Sequence, residues 1–159
     1  MLALRSILFA LLVPGTVTVI IPWLIAYQGR AANLAHWTPW RYVGLLPLTV
    51  GVAILFWCVW DFAVVGHGTL APIDPPTQLV VRGPYRYVRN PMYVGVVLIL
   101  LGEAALFESV ALLIYGAIFF LAVHCFVVLY EEPTLYRQFG ESYDGYRRRV
   151  RRWWPRVRG

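Results

Sequence analysis

The side chains able to do chemistry in this chain are few, and most stand where apolar neighbours make them costly. Asp61, Glu103 and His124 interrupt long apolar runs, and Glu131 with Glu132 closes one of them. A charge inside such a run costs several kcal/mol unless it is paired or hydrated, so each is a candidate for function. At about 1.5 Å per helical residue, Asp61 lies about 8 Å and His124 about 10 Å from the ends of their runs, next to polar segments. Both are candidate catalytic groups, placed to take a proton from an attacking amine, thiol or phenol. Each also has a structural reading, Asp61 as an interfacial ion pair and His124 as a satisfied core side chain. Glu103, roughly 18 Å beyond Pro91, either bridges helices or faces the opposite leaflet. Cys58 and Cys125 make neither a disulfide framework nor a metal spacing, so both read as small buried hydrophobes and no metal site is expected. No P-loop, no G-x-G-x-x-G after a strand, no H-E-x-x-H and no G-x-S-x-G is present.

The elements that must position these groups follow from composition. Of 159 residues, 60% are hydrophobic and 14% are charged, where soluble domains average about 25% charged. That excludes an ordinary soluble globule, a disordered chain and a coiled coil. The pattern predicts a single all-α integral membrane domain over 1–159, with about four transmembrane helices at 6–28, 42–66, 91–107 and 109–130 and a C-terminal amphipathic helix. Each run approaches the roughly 20 residues needed to cross about 30 Å of hydrocarbon. The first reads as a retained anchor rather than a cleaved signal peptide, because no A-x-A site follows it. The last two are joined around Glu108-Ser109 as a tight hairpin.

The net charge of +6 resides in the tail: residues 133–159 hold eight arginines against Glu141 and Asp144, and residues 1–132 balance at zero. Four spans place twelve arginines with the termini and leave Arg30 and Arg41 opposite. The positive-inside rule then makes both termini, the loop 67–90 and the tail 131–159 cytoplasmic, in a membrane of the bacterial inner type. Trp23, Trp37, Trp40, Trp153 and Trp154 fit interfacial belts. The apolar body turns the basic tail toward anionic lipid headgroups, at roughly 1 kcal/mol per arginine, rather than nucleic acid.

Two cytoplasmic segments depart from the membrane pattern. In 67–90, Pro72, Pro75 and Pro76 forbid a regular helix, residues 78–81 are a short extended run, and Gly83-Pro84 marks a turn. Asn90 then stands as N-cap with Pro91 at the first helical position. In the tail, Leu135, Phe139, Tyr143, Tyr146 and Val150 recur at helical spacing opposite an arginine-rich face. This helix lies on the membrane or packs under the loop. Polar segments at the edge of an apolar bundle suit the joining of a water-soluble cofactor to a lipid-soluble substrate.

The run GPYRYVRNPMYVG at 83–95, followed by EEPTLYRQFGESYDGY at 131–146, resembles the isoprenylcysteine carboxyl methyltransferase family, which is related to the phospholipid N-methyltransferases. The resemblance covers roughly residues 66–155. It implies an integral membrane enzyme that uses S-adenosyl-L-methionine without a Rossmann fold, the cofactor lying between the loop, the hairpin and the C-terminal segment. The implied cofactor contacts are Gln78, Leu79, Val80, Tyr85, Asn90, Pro91, Met92, Tyr93 and Glu131. Glu132 is added to that set, and it, Tyr143 and Tyr146 are expected to brace it from the tail. Asn90 stands where better-known members have His in R-H-P-x-Y, so residue 90 should bind rather than exchange protons. Val127 stands where the prenylcysteine enzymes have an arginine for the substrate carboxylate, which argues against a prenylcysteine substrate.

The resemblance thus implies methyl transfer to a lipophilic small molecule or lipid that arrives sideways from the bilayer. Two alternatives remain at this point. One is an NADPH-dependent membrane reductase of the sterol-reductase type; the other is a non-catalytic membrane protein that binds a lipid or a partner helix.

Overall fold

The computed structural model describes residues 13–28, 39–65, 79 and 81–155. Residues 6–12 of the first expected span, Trp37, most of the loop 67–90 and Arg5, Arg30, Arg156 and Arg158 lie outside that set. The described residues are helical, with no strand beyond one isolated parallel bridge between Val88 and Arg151. The helices are α1 (Ile21–Gln28), α2 (Leu45–Val65), α3 (Pro91–Leu106), α4 (Val110–Phe126), α5 (Glu132–Phe139) and α6 (Glu141–Arg149). A π turn (Thr16–Ile20) leads into α1, and a second (Val127–Glu131) joins α4 to α5. Short 3-10 turns cover Pro39–Gly44 and Gly83–Arg86.

Two continuous helical stretches, Pro39–Asp61 and Val110–Phe139, are long and apolar enough to cross a membrane; Val13–Tyr27 and Pro91–Leu106 are apolar but shorter. Leu46, Phe56 and Trp60 on α2, and Ile118 and Leu121 on α4, are exposed large apolar side chains. Such a surface suits hydrocarbon rather than water.

α2 and α3 pack antiparallel along a glycine seam. A β-carbon on Gly51 would lie 2.5 Å from the Gly95 carbonyl oxygen, and one on Gly102 would lie 2.7 Å from that of Gly44. Gly44 and Gly51 stand seven residues apart along one segment, as Gly95 and Gly102 do along the other, about two helical turns. Lipid gives helices no hydrophobic reason to associate, so close backbone approach supplies the packing. The expected hairpin forms: Ser109 caps α4 by accepting a hydrogen bond from the Leu112 N–H at 3.3 Å. At this end the buried Arg41 pairs with Glu108 at 3.3 Å.

Proline shapes the first π turn. There the Ile21 N–H reaches the Thr16 carbonyl, a five-residue step. Pro22 has no N–H to continue that pattern to Val17. The Tyr115 hydroxyl of α4 donates to the Val17 carbonyl instead, at 3.1 Å. A freed carbonyl in a membrane helix is thereby satisfied by a neighbouring helix.

The tail corrects the sequence expectation of one amphipathic helix. Gly140 adopts φ +52° and ψ −126°, which ends α5 and starts α6 in a new direction. The apolar stripe survives the break. Tyr143, Tyr146 and Val150 form a buried cluster, with Leu135, Phe139 and Leu79 packed against it. The stripe therefore faces the loop.

Candidate active site

The two acidic residues of greatest interest lie at the opposite end from Arg41. The turn Val127–Glu131 sets two adjacent carboxylates in different surroundings. Glu131 is half-buried and accepts one hydrogen bond, from the Tyr93 hydroxyl in the first turn of α3, at 3.1 Å. Glu132, the first residue of α5, is gripped by two arginines. Arg152 donates to both of its oxygens, at 2.7 and 2.9 Å, and Arg89 pairs with it at 3.0 Å. The bidentate fork satisfies the carboxylate and fixes its plane.

Successive tail residues then clamp three elements together. The Arg89 N–H donates to the Arg151 carbonyl at 2.9 Å, beside the bridge between Val88 and Arg151. The Asn90 side-chain amide donates to the Arg152 carbonyl at 3.4 Å. The Trp153 indole N–H donates to His124 Nδ1 at 3.1 Å, and its ring meets Phe120 edge-on. Further back, Tyr146 donates its hydroxyl to the Tyr85 carbonyl at 2.6 Å, and Arg89 donates to the Tyr143 hydroxyl at 3.3 Å.

Tyr85 is the hinge between this dock and α2. Its ring is buried with Cys58, against Ile54 and Met92. Burial, then coupling and a hydrogen bond to Cys58, then the charge of Glu131, holds its hydroxyl neutral well above the usual tyrosine range. One turn along α2 from Cys58, Asp61 is 6% exposed, and its Oδ2 has no hydrogen-bond partner. Gly83, at φ +51°, lies directly over that oxygen and near the Trp57 indole nitrogen. Any β-carbon at residue 83 would collide with Asp61. Asp61, Cys58, Tyr85, Tyr93 and Glu131 thus form one contiguous ledge in which neither carboxylate has an arginine partner, while the nearby Arg89 and Arg152 are spent on Glu132.

The other sequence-derived candidates fall as follows. Pro91 and Asn90 are buried at the start of α3, and Met92 and Tyr93 are half-buried beside them. Asn90 stands at the N-cap position, but its side chain does not cap the helix. The tail backbone claims it instead, which corrects the capping expectation. Leu79 packs on the tail cluster. Gln78 and Val80 lie outside the described residues. Glu132 has both oxygens engaged, which makes it a brace. Asp61 and His124 belong to different groups: Asp61 to the ledge under Gly83, His124 to the tail contact with Trp153 and Phe120. Glu103 has one buried oxygen without a hydrogen-bond partner and stands apart from both. The sequence reading missed Arg152, Trp57 and Gly83. Arg152 is one arginine in a run of them; only its spacing from the tyrosine stripe could have singled it out.

A helical membrane bundle with a polar ledge at one end, closed by a basic tail, defines the class of the chain. The family model "phospholipid methyltransferase" matches residues 40–142. The chain belongs to that family, which includes the isoprenylcysteine carboxyl methyltransferases. It is also similar to the nickel-cobalt-cadmium resistance protein NccN of Alcaligenes xylosoxydans xylosoxydans, 31% identical over 115 residues and 72% of this chain. The match covers 49% of NccN, so the chain spans about half the length of that curated relative. No solved structure matches.

Proposed function

We propose that this chain is an integral membrane S-adenosylmethionine-dependent methyltransferase that modifies a lipophilic small molecule or lipid at the cytoplasmic face. The observation that carries the reading is Glu131: a half-buried carboxylate in a family of methyltransferases, left without an arginine while its neighbour takes two. In this reading the four apolar helices all span, and the Arg41–Glu108 end faces away from the cytoplasm.

The residues fit the cofactor. Its positive sulfonium and ammonium call for carboxylates without cationic partners, and the ledge offers two: Glu131, held only by Tyr93, and Asp61, whose Oδ2 is buried and unpartnered. S-adenosylmethionine, when bound, supplies an activated methyl group. Glu131 accepts hydrogen bonds from its ribose hydroxyls or its ammonium. The start of α3 at Asn90 and Pro91 offers positive potential to its carboxylate. Met92 and Tyr93 line the same turn, with Tyr93 orienting Glu131. Tyr85, Leu79, Gln78 and Val80 complete the contact set that the family resemblance implies.

Positioning in a dry site supplies most of the acceleration, because the sulfonium charge disappears as the methyl moves. An acceptor that must lose a proton needs a base. His124 already has Nδ1 occupied by Trp153, so the duty falls to Asp61.

The test is binding of S-adenosylmethionine, S-adenosylhomocysteine and NADPH to the detergent-purified full chain, with Glu131→Ala as control. Binding of both adenosyl ligands, weakened by the substitution, supports the reading. No adenosyl binding by the wild-type chain overturns it, and tight NADPH binding favours a reductase. Candidate lipids are then screened for transfer of labelled methyl groups.

A further inference from the structure

We propose that the tail end of the bundle is a docking surface for acidic phospholipid headgroups, which hold the tail in its clamped position. Two independent features place this surface at the membrane. The first is depth. The Trp153 indole seats on His124 and Phe120 of α4. His124 stands seven residues before Glu131, roughly 10 Å further into the apolar part of the helix. The tail therefore dips to the level where tryptophan settles, between headgroups and hydrocarbon.

The second feature is charge. The bridge between Val88 and Arg151 brings two distant basic segments side by side. Arg86 on one, and Arg147, Arg148, Arg149 and Arg151 on the other, are all exposed. Glu141 and Asp144 are the acids of α6, and five arginines against two carboxylates leave three positive charges. Trp154 stands 75% exposed next to them. Arginines flanking an exposed tryptophan, anchored by a second tryptophan against an apolar helix, present cations to phosphate and indole to the interface. That combination suits a bilayer surface. A nucleic acid would meet the arginines, but it gives no reason for Trp153 to lie along α4.

The surface also has a line to the ledge. Arg151 and Arg152 adjoin in sequence, and Arg152 holds Glu132, the neighbour of Glu131. Lipid binding therefore favours the clamped tail, whatever reaction the ledge supports.

The experiment follows hydrogen exchange of residues 141–155 in the full chain, embedded in nanodiscs of phosphatidylcholine alone or with about 30 mol% phosphatidylglycerol. Exchange is expected to slow at least about threefold in the acidic discs and to recover in about 1 M salt, where charges are screened beyond about 3 Å. The variant Arg86→Gln with Arg149→Gln and Arg151→Gln should lose the slowing. Equal exchange in both discs overturns the proposal, as does slowing that survives salt or persists in the variant. Equal or greater slowing by a short oligonucleotide in neutral discs overturns it in favour of a nucleic-acid partner. If the variant fails to fold, the wild-type comparison between discs and its salt reversal still decide. None of these readouts depends on methyl transfer.

Discussion

Glu131 and Glu132 are neighbours in sequence, yet the regions they serve are built on opposite principles. Around Glu132 the carboxylate is fully engaged: Arg152 forks onto both oxygens, Arg89 joins from the loop, and Arg89 reaches on to Tyr143. Around Glu131 and Asp61 the acids are left with a tyrosine, an indole and a glycine. A fully paired carboxylate has little to offer a ligand. An under-paired one in a partly buried site attracts a cation. The contrast teaches how a short tail can build a binding ledge: it satisfies one acid completely so that the adjacent one need not be.

The most damaging way to probe this contrast is Glu132→Ala. It leaves Arg89, whose side chain is 9% exposed, and the half-buried Arg152 facing each other without a carboxylate. The expected loss is about 3 kcal/mol, at the low end for breaking a buried pair because Arg152 is partly solvated. Thermal unfolding in detergent, with proteolysis of the tail as a second readout, measures it. Glu131→Gln should behave differently. S-adenosylmethionine affinity is expected to fall at least about tenfold, or about 1.4 kcal/mol, while stability stays within about 0.5 kcal/mol of the parent. If the two substitutions destabilise alike, the division between brace and ledge is wrong.

How much of this the sequence made legible depends on the range of the interaction. Local signals read well. Pro91 begins α3, Ser109 starts α4 at a tight turn, and the apolar runs mark the long helices. The tyrosine stripe of the tail also read correctly as one face, although a glycine at positive φ splits its helix. Contacts between distant segments did not read. Apart from its spacing from the tyrosine stripe, nothing marks Arg152 out from Arg151, because the fold decides which one meets Glu132. Asn90 fits the N-cap rule, but the tail backbone outcompetes the helix end for its amide. Asp61 announced itself as a charge in an apolar run, whereas Gly83 above it needed the three-dimensional approach of the loop. The cofactor set came from family resemblance, and its geometry for Gln78 and Val80 lies beyond the described residues.

Tyr146→Phe tests whether the dock is held by more than ion pairs. The substitution removes the hydroxyl that donates to the Tyr85 carbonyl. A loss of about 1 kcal/mol is expected, the ordinary net worth of such a bond. Burial pushes the Tyr146 hydroxyl above its usual range, with Arg89 opposing and Tyr143 adding. A group whose folded value is raised contributes stability that is complete below its unfolded value, about 10 for tyrosine, and is lost as pH climbs through the folded one. Stability should therefore decline above about pH 10, and Tyr146→Phe should shallow that decline. An unchanged alkaline limb would mean that the hydroxyl is not sequestered by the dock.

The smallest effect belongs to Asp144, which looks on paper like another clamped acid. Arg147 and Arg148 both pair with it, at 3.0 and 2.8 Å. The hydrogen bond from Arg148 leads the causes that hold its carboxyl below the usual range, desolvation opposes it, and the Arg148 charge and Arg147 add to the lowering. Yet both arginines are solvent-exposed neighbours on the same helix, one turn away, where water and salt screen the attraction. Because the folded value is lowered, the contribution is present at neutral pH and fades as pH falls through that value, below the unfolded value of about 3.9. Asp144→Asn should therefore leave cofactor binding unchanged and barely move the unfolding midpoint at pH 7. Whatever difference is seen there should fade as pH falls below the unfolded value and shrink in about 1 M salt. A shift approaching that of Glu132→Ala would show that ion pairing on α6 matters regardless of burial. The difference between the two acids would then lie in charge alone, and the buried arginine clamp would lose its special place beside Glu131.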